Sequence, residues 1–101
     1  MQRQREGVLS SKYSIFETDE FLKKLKKSEH QDEKFIRSKL AAYIYPQITN
    51  EPFFGKNIKK LKSYIPETYR YRIGRFRLFY TVDQAENIIY ILTLDDRKDA
   101  Y

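Results

Sequence analysis

Cysteine is absent from this sequence of 101 residues. Its absence excludes disulfides, thiolate nucleophiles and cysteine zinc sites together. Histidine occurs once, at His30, so no site built from several imidazoles can form. No apolar run approaches the ~18 residues that would cross a bilayer. The charged opening MQRQREGVLS is not followed by an apolar stretch, so no secretory signal is expected. The expected protein is cytoplasmic, needs no membrane, and has neither metal nor cofactor. Acids are the minority among its charges. Asp and Glu number 14 against 20 Lys and Arg, which leaves a net charge of +6.

What is present is aromatic and basic. Aromatics make up 16% of the chain, enough large side chains to fill a small core beside a charged fraction of 34%. The length fits one domain with a sheet packed on helices. The basic excess is concentrated. Between positions 56 and 77 stand Lys56, Lys59, Lys60, Lys62, Arg70, Arg72, Arg75 and Arg77 against a single acid, Glu67. Such a segment points to nucleic acid or an acidic protein partner, or serves ordinary solubility.

The most informative stretch is YRYRIGRFRLFY, from Tyr69 to Tyr80. Apolar and basic residues alternate on either side of Gly74, the signature of two strands with one buried face. The phase changes at Gly74, which predicts a hairpin with Gly74-Arg75 as a two-residue type II′ loop. Ile73 then faces Phe76, Arg72 faces Arg77, Tyr71 faces Leu78, and Arg70 faces Phe79. One face carries Tyr69, Tyr71, Ile73, Phe76, Leu78 and Tyr80. The other carries Arg70, Arg72, Arg77 and Phe79. Like charges directly opposite in a sheet repel, so this face calls for an anion: a carboxylate, an acidic chain or a phosphate. The alternative is that the arginines merely solvate an open face.

The rest of the chain is read around this hairpin. Residues 1–10 lack periodicity and read as a flexible tail, leaving 11–101 as the domain. Lys12 to Glu17 predicts a strand with Tyr13, Ile15 and Phe16 inward. Thr18 or Asp19 caps a helix running to Lys27, with Phe21, Leu22 and Leu25 on its buried stripe and lysines outside. A second helix is expected from Gln31 to Tyr45, with Phe35, Ile36, Leu40, Tyr43 and Ile44 on its core face. Pro46 and Pro52 are expected to end helical order. Residues 46–68 read as a long connection anchored by Phe53, Phe54, Ile58 and Leu61. Asp83 to Glu86 makes a turn, and Asn87 to Leu94 (NIIYILTL) reads as a strand covered on both faces. The element order is β-α-α-β-β-β, an α+β domain.

YRYRIGRFRLFY, then IIYILTL, then DDRKDAY, preceded by FFGKNIKKLK, resembles the RelE/ParE toxin superfamily of type II toxin–antitoxin modules. The resemblance covers the chain from about Lys12 to Tyr101. It implies the RelE-like microbial RNase fold, a small antiparallel sheet with a helical hairpin on one face. It also implies a toxin of the RelE type, an endoribonuclease that cuts mRNA, commonly at the ribosome, without a metal. In that family basic side chains grip the scissile phosphate, and a tyrosine near the C-terminus acts on the ribose 2′-OH. Carried over by position, Arg70, Arg72, Arg77, Arg97 and Tyr101 are the catalytic candidates. Lys56, Lys59, Lys60, Lys62, Arg75 and Phe79 are candidate RNA contacts. The histidine that some branches carry near the C-terminus has no counterpart here. The ParE branch, which blocks DNA gyrase and cuts no RNA, is the alternative. The implied partners are a cognate acidic antitoxin, mRNA with the ribosome, and operator DNA reached only through the antitoxin complex.

Overall fold

The structure is a computed structural model, and it describes residues 12–97. The tail expected over residues 1–10 lies outside the described residues, as does Tyr101.

The first strand, β1, spans Ser14–Glu17 and leads through Thr18 into helix α1, Asp19–Lys27. Thr18 is the cap: its side-chain oxygen accepts the Phe21 N–H at 3.3 Å. Asp19 and Glu20 occupy the first turn and Lys24, Lys26 and Lys27 the last, each sign at the helix end that favours it. Helix α2, His30–Lys39, runs into a π-helical segment, Leu40–Ile44, and then into α3, Tyr45–Asn50. Pro46 therefore does not end helical order as the sequence suggested. A proline inside an α-helix clashes with the carbonyl four residues back. Here the ladder widens just ahead of it, with the Tyr45 N–H bonding to the Leu40 carbonyl five residues back. Pro46 then sits in the first turn of α3, where it is tolerated. Ile36, Leu40, Ile44 and Ile48 form the buried stripe of this run. Phe35 and Tyr43, expected on the core face, flank the stripe at 42% and 63% exposure.

Strands β2 (Ile58–Lys60), β3 (Thr68–Ile73), β4 (Phe76–Asp83) and β5 (Ile88–Asp96) complete a five-stranded sheet. In this numbering its order is β1-β5-β4-β3-β2. The α+β class stands, with two differences. β1 pairs parallel with β5, so the sheet is mixed. β2 is an edge strand within the connection, where only a linker was expected. Three residues without alternation carry no readable strand signal. Phe54, expected as an anchor of that connection, is 77% exposed, whereas Phe53 packs on Tyr69 with centroids 5.5 Å apart.

The hairpin register follows the alternation: Ile73 faces Phe76, Arg72 faces Arg77, Tyr71 faces Leu78 and Arg70 faces Phe79. Gly74 has φ +59° and Arg75 has no positive φ, as a type II′ turn requires. Tyr69, Tyr71, Ile73, Phe76, Leu78 and Tyr80 all join the core with Phe21, Leu25 and the helical isoleucines. β5 is not covered on both faces. Ile89, Ile91 and Leu94 are buried while Tyr90, Leu92 and Thr93 are half-buried. A bulge against β4 at Phe79/Tyr80 shifts its phase between Ile91 and Leu94. In β1, Phe16 points away from the core and is 55% exposed.

One polar cluster ties β1 to the helices. Arg37 donates twice to Glu17, at 2.6 and 3.1 Å, and the Tyr45 hydroxyl donates to Glu17 at 2.6 Å. Burial opposes ionisation of Glu17, but the Arg37 and Tyr45 bonds and the Arg37 charge outweigh it, so its pKa is lowered. Burial, then the bond to Glu17, raises that of Tyr45. A lowered carboxyl pKa contributes stability above the unfolded carboxylate range, which is lost as pH falls through the folded value. Glu17→Gln should therefore cost about 1 kcal/mol at neutral pH, since Arg37 is half exposed. That deficit should shrink in acid, as read by urea unfolding at both pH values.

Candidate functional site

Alternation along β3 and β4 sends one set of side chains into the core and leaves the other on the open face of the sheet. Register places those open-face residues in rows across the strands. Arg72, Arg77 and Asp95 form one row. Lys59, Arg70, Phe79 and Thr93 form the next. Arg97 follows the end of β5, and its N–H donates to the Arg75 carbonyl at 3.0 Å. That bond holds the strand end against the hairpin tip.

Together Arg70, Arg72, Gly74, Arg77 and Arg97 line a depression of about 260 Å³, with no acid among its described lining residues. Gly74 contributes an open wall, since a Cβ there would meet nothing within 4 Å. The Nε atoms of Arg70 and Arg77 are buried and make no hydrogen bond among the described residues. The Arg70 pKa is lowered, by burial first and then by the charges of Arg72 and Arg77. Guanidinium groups held together at this cost leave a concentrated positive charge whose planar donors suit an oxyanion. Asp95, in register beside Arg77, bonds instead to Lys24 at 3.3 Å. A second unpaired atom type lies close by. The Thr93 hydroxyl is buried and unbonded among the described residues. The sequence offered no signal for Thr93, because its place on this face depends on the bulge.

The remaining candidates divide. Lys59 stands beside Arg70 on the open face. Lys60 sits opposite Tyr69 and pairs with Glu67 at 2.9 Å. Lys56 and Lys62 are exposed near β2, outside the lining of the depression. Phe79 is half-buried between Arg70 and Thr93. Arg75 is not on the arginine face. Its guanidinium bonds to Asp96 and to Asp32, each at 2.8 Å, and lies 4.6 Å from the Phe76 ring centroid. The hairpin tip turns it toward the helical layer, where it pins the loop to α2. Tyr101 lies outside the described residues. Among the described residues no group of His, Cys, Asp and Glu could hold a metal ion. No described helix is long and apolar enough to cross a membrane.

This fold has known relatives. The chain resembles the RelE of an archaeal RelE–RelB complex from Pyrococcus horikoshii OT3, with a TM-score of 0.64, 21% identity, and coverage of 85% of this chain and 96% of that one. It is also similar to a chain of the RelB–RelE antitoxin–toxin complex from Methanococcus jannaschii, with a TM-score of 0.61, 26% identity, and coverage of 84% and 93%. A YoeB dimer from Staphylococcus aureus matches with a TM-score of 0.62, 26% identity, and coverage of 82% and 94%. No curated protein matches the sequence. The family model described as the ParE toxin of the type II toxin–antitoxin system parDE matches residues 16–101. The chain therefore belongs to the ParE toxin family, within the RelE/ParE superfamily, and is a toxin of a type II toxin–antitoxin system.

Proposed function

We propose that this toxin is an endoribonuclease of the RelE type that cuts mRNA engaged by the ribosome. The observation that carries this reading is the depression lined by Arg70, Arg72, Arg77 and Arg97, with no acid among its described lining residues. No described carboxylate neutralises it, and a phosphate from outside suits its charge and its planar donors. In the reaction the ribose 2′-oxygen bonds to the adjacent phosphorus while the bond to the 5′-oxygen breaks and that oxygen takes a proton from water, leaving a cyclic 2′,3′-phosphate and a 5′-hydroxyl. Negative charge grows on the phosphoryl oxygens at the five-coordinate stage. Arginines fixed in place stabilise that charge without reorganising. Arg72 is exposed at the rim and Arg70 and Arg77 lie deeper, so one phosphate can be gripped from two depths. By resemblance, Tyr101 accepts the 2′-OH proton. The chemistry needs no metal, and the protein acts in the cytoplasm, where mRNA is translated.

The partner that restrains it is an acidic antitoxin. The relatives from Pyrococcus horikoshii OT3 and Methanococcus jannaschii are parts of toxin–antitoxin complexes, and a chain of charge +6 attracts an acidic one. Operator DNA is reached through that complex.

The match to the ParE model favours a second reading, in which the same face binds DNA gyrase and cleaves nothing. Induction in cells followed by mapping of mRNA 5′ ends separates the two. New ends in translated frames, appearing within minutes and before any drop in supercoiling, are expected. Growth arrest with intact mRNA and impaired supercoiling would select the gyrase reading.

A further inference from the structure

The open face continues past the arginines. Two residues beyond Phe79 on β4 is Thr81, opposite Tyr90 on β5, and Tyr90 in turn lies beside Phe16 on β1. Ile89 and Ile91 on either side of Tyr90 are fully buried, so Tyr90 projects from the face away from the core. The Phe16 and Tyr90 rings meet with centroids 5.6 Å apart at 57°. Phe16 is exposed there although its neighbours in β1 serve the fold. Ile15 packs on the core, and Glu17 bonds to Arg37.

We propose that Phe16 and Tyr90 are a stacking platform for unpaired bases of an RNA strand whose phosphate lies in the arginine depression. This rests on the nuclease reading and adds a subsite to it. The face is graded in charge along β4. On β4 itself the open face runs from basic Arg77 through uncharged Phe79 and Thr81 to acidic Asp83; the flanking strands add Arg72 and Asp95 beside Arg77, and Arg70 and Lys59 in the row of Phe79. A chain of alternating phosphates and bases suits this order. Phosphates meet guanidinium groups at one end, and bases meet rings before the acid repels the backbone. From Arg77 to Thr81 is four residues of strand, about 13 Å at about 3.3 Å per residue, and Tyr90 and Phe16 lie one and two strands further across at about 4.8 Å each, within reach of a short single strand. Sheets that bind RNA use exposed aromatics on strands in this manner, and the stacking tolerates any base because each has a π-face.

The test uses the full chain and two uncleavable 2′-O-methyl decanucleotides, one with bases and one abasic with the same phosphates. Wild type should bind the strand with bases roughly tenfold or more tighter, since each base stacked on an aromatic contributes about five- to a hundredfold. Phe16→Ala should close most of that gap and leave abasic binding unchanged. Tyr90→Leu, which retains apolar bulk, should do the same. Phe16→Leu provides a variant at a solvent-exposed position should Tyr90→Leu fold poorly. Equal wild-type affinity for the two strands overturns the platform and leaves the nuclease reading intact. So does a base preference that survives Phe16→Ala. Variants that bind RNA as wild type does but lose neutralisation by the antitoxin would make the pair a protein contact, which also overturns it. If neither strand binds, the platform fails, while the nuclease reading stands or falls on the mapped mRNA ends; if Arg77→Ala leaves both affinities unchanged, the depression is not the phosphate site and the platform fails with it.

Discussion

Arg77→Ala abolishes growth arrest and lowers the cleavage rate by about 10²–10³-fold, the expected effect of removing one preorganised donor from a developing oxyanion. Arg77 is the arginine for which the largest loss is expected. It lies in the middle strand of the arginine rows, faces Arg72 across the hairpin, and keeps its Nε buried and unbonded among the described residues. The fold should not suffer. Its guanidinium neighbours are like charges, so truncation relieves repulsion and the melting temperature should hold or rise slightly. A toxin commonly trades stability for a site in this way. Arg77→Lys should recover only part of the activity, because an ammonium keeps the charge and loses the planar fork. The check is cleavage of a translated message, with thermal melting alongside. A folded Arg77→Ala protein that still cuts at the wild-type rate would remove the depression from the mechanism.

Tyr80→Ala should leave the protein largely unfolded at 37 °C. Tyr80 is fully buried, stacks on Tyr69 with centroids 5.7 Å apart, and donates its hydroxyl to the Pro52 carbonyl at 2.6 Å. Deleting a buried aromatic costs about 3–5 kcal/mol, a large share of the roughly 5–15 kcal/mol that a domain possesses. The hydroxyl bond has a separate role. It fastens the start of the connection between α3 and β2 to the central strand. Tyr80→Phe should cost about 1–3 kcal/mol, because the Pro52 carbonyl loses its donor inside the core. Burial, then the neighbouring Tyr69 and Tyr71, raises the Tyr80 pKa. A raised phenol pKa gives stability that is present below the unfolded value and lost as pH rises through the folded one. Wild type should therefore lose stability at strongly alkaline pH, and Tyr80→Phe should lose less. Urea unfolding of the two proteins at neutral and alkaline pH measures both effects. Equal midpoints at neutral pH would show that the hydroxyl bond contributes nothing.

The arginine hairpin was legible because its information is local. Period-two alternation fixes which side chains share a face, and a glycine at the change of phase fixes the loop length, so the register from Ile73–Phe76 to Arg70–Phe79 follows from spacing alone. The cap at Thr18 and the buried stripe of α1 were legible for the same reason. The side taken by Arg75 was not legible, because a loop residue has no alternation to assign it, and two carboxylates far away in sequence, Asp32 and Asp96, decide it. Pro46 misled because the rule against interior prolines assumes an α-helical ladder, and the π segment before it alters that ladder. Phe16 and Tyr90 were hidden in apolar runs whose outward faces only strand pairing could sort. By itself, then, the sequence determined an α+β chain with a basic sheet face and an aromatic core, since those depend on neighbours within a few residues. The tertiary structure alone decided that Arg97, beyond β5, closes with the three hairpin arginines around one depression. It also decided that β1 runs parallel beside β5, and that a bulge turns Thr93 toward the site. Each of these depends on which distant strands meet, and pairing between distant strands leaves no periodic mark in a single strand.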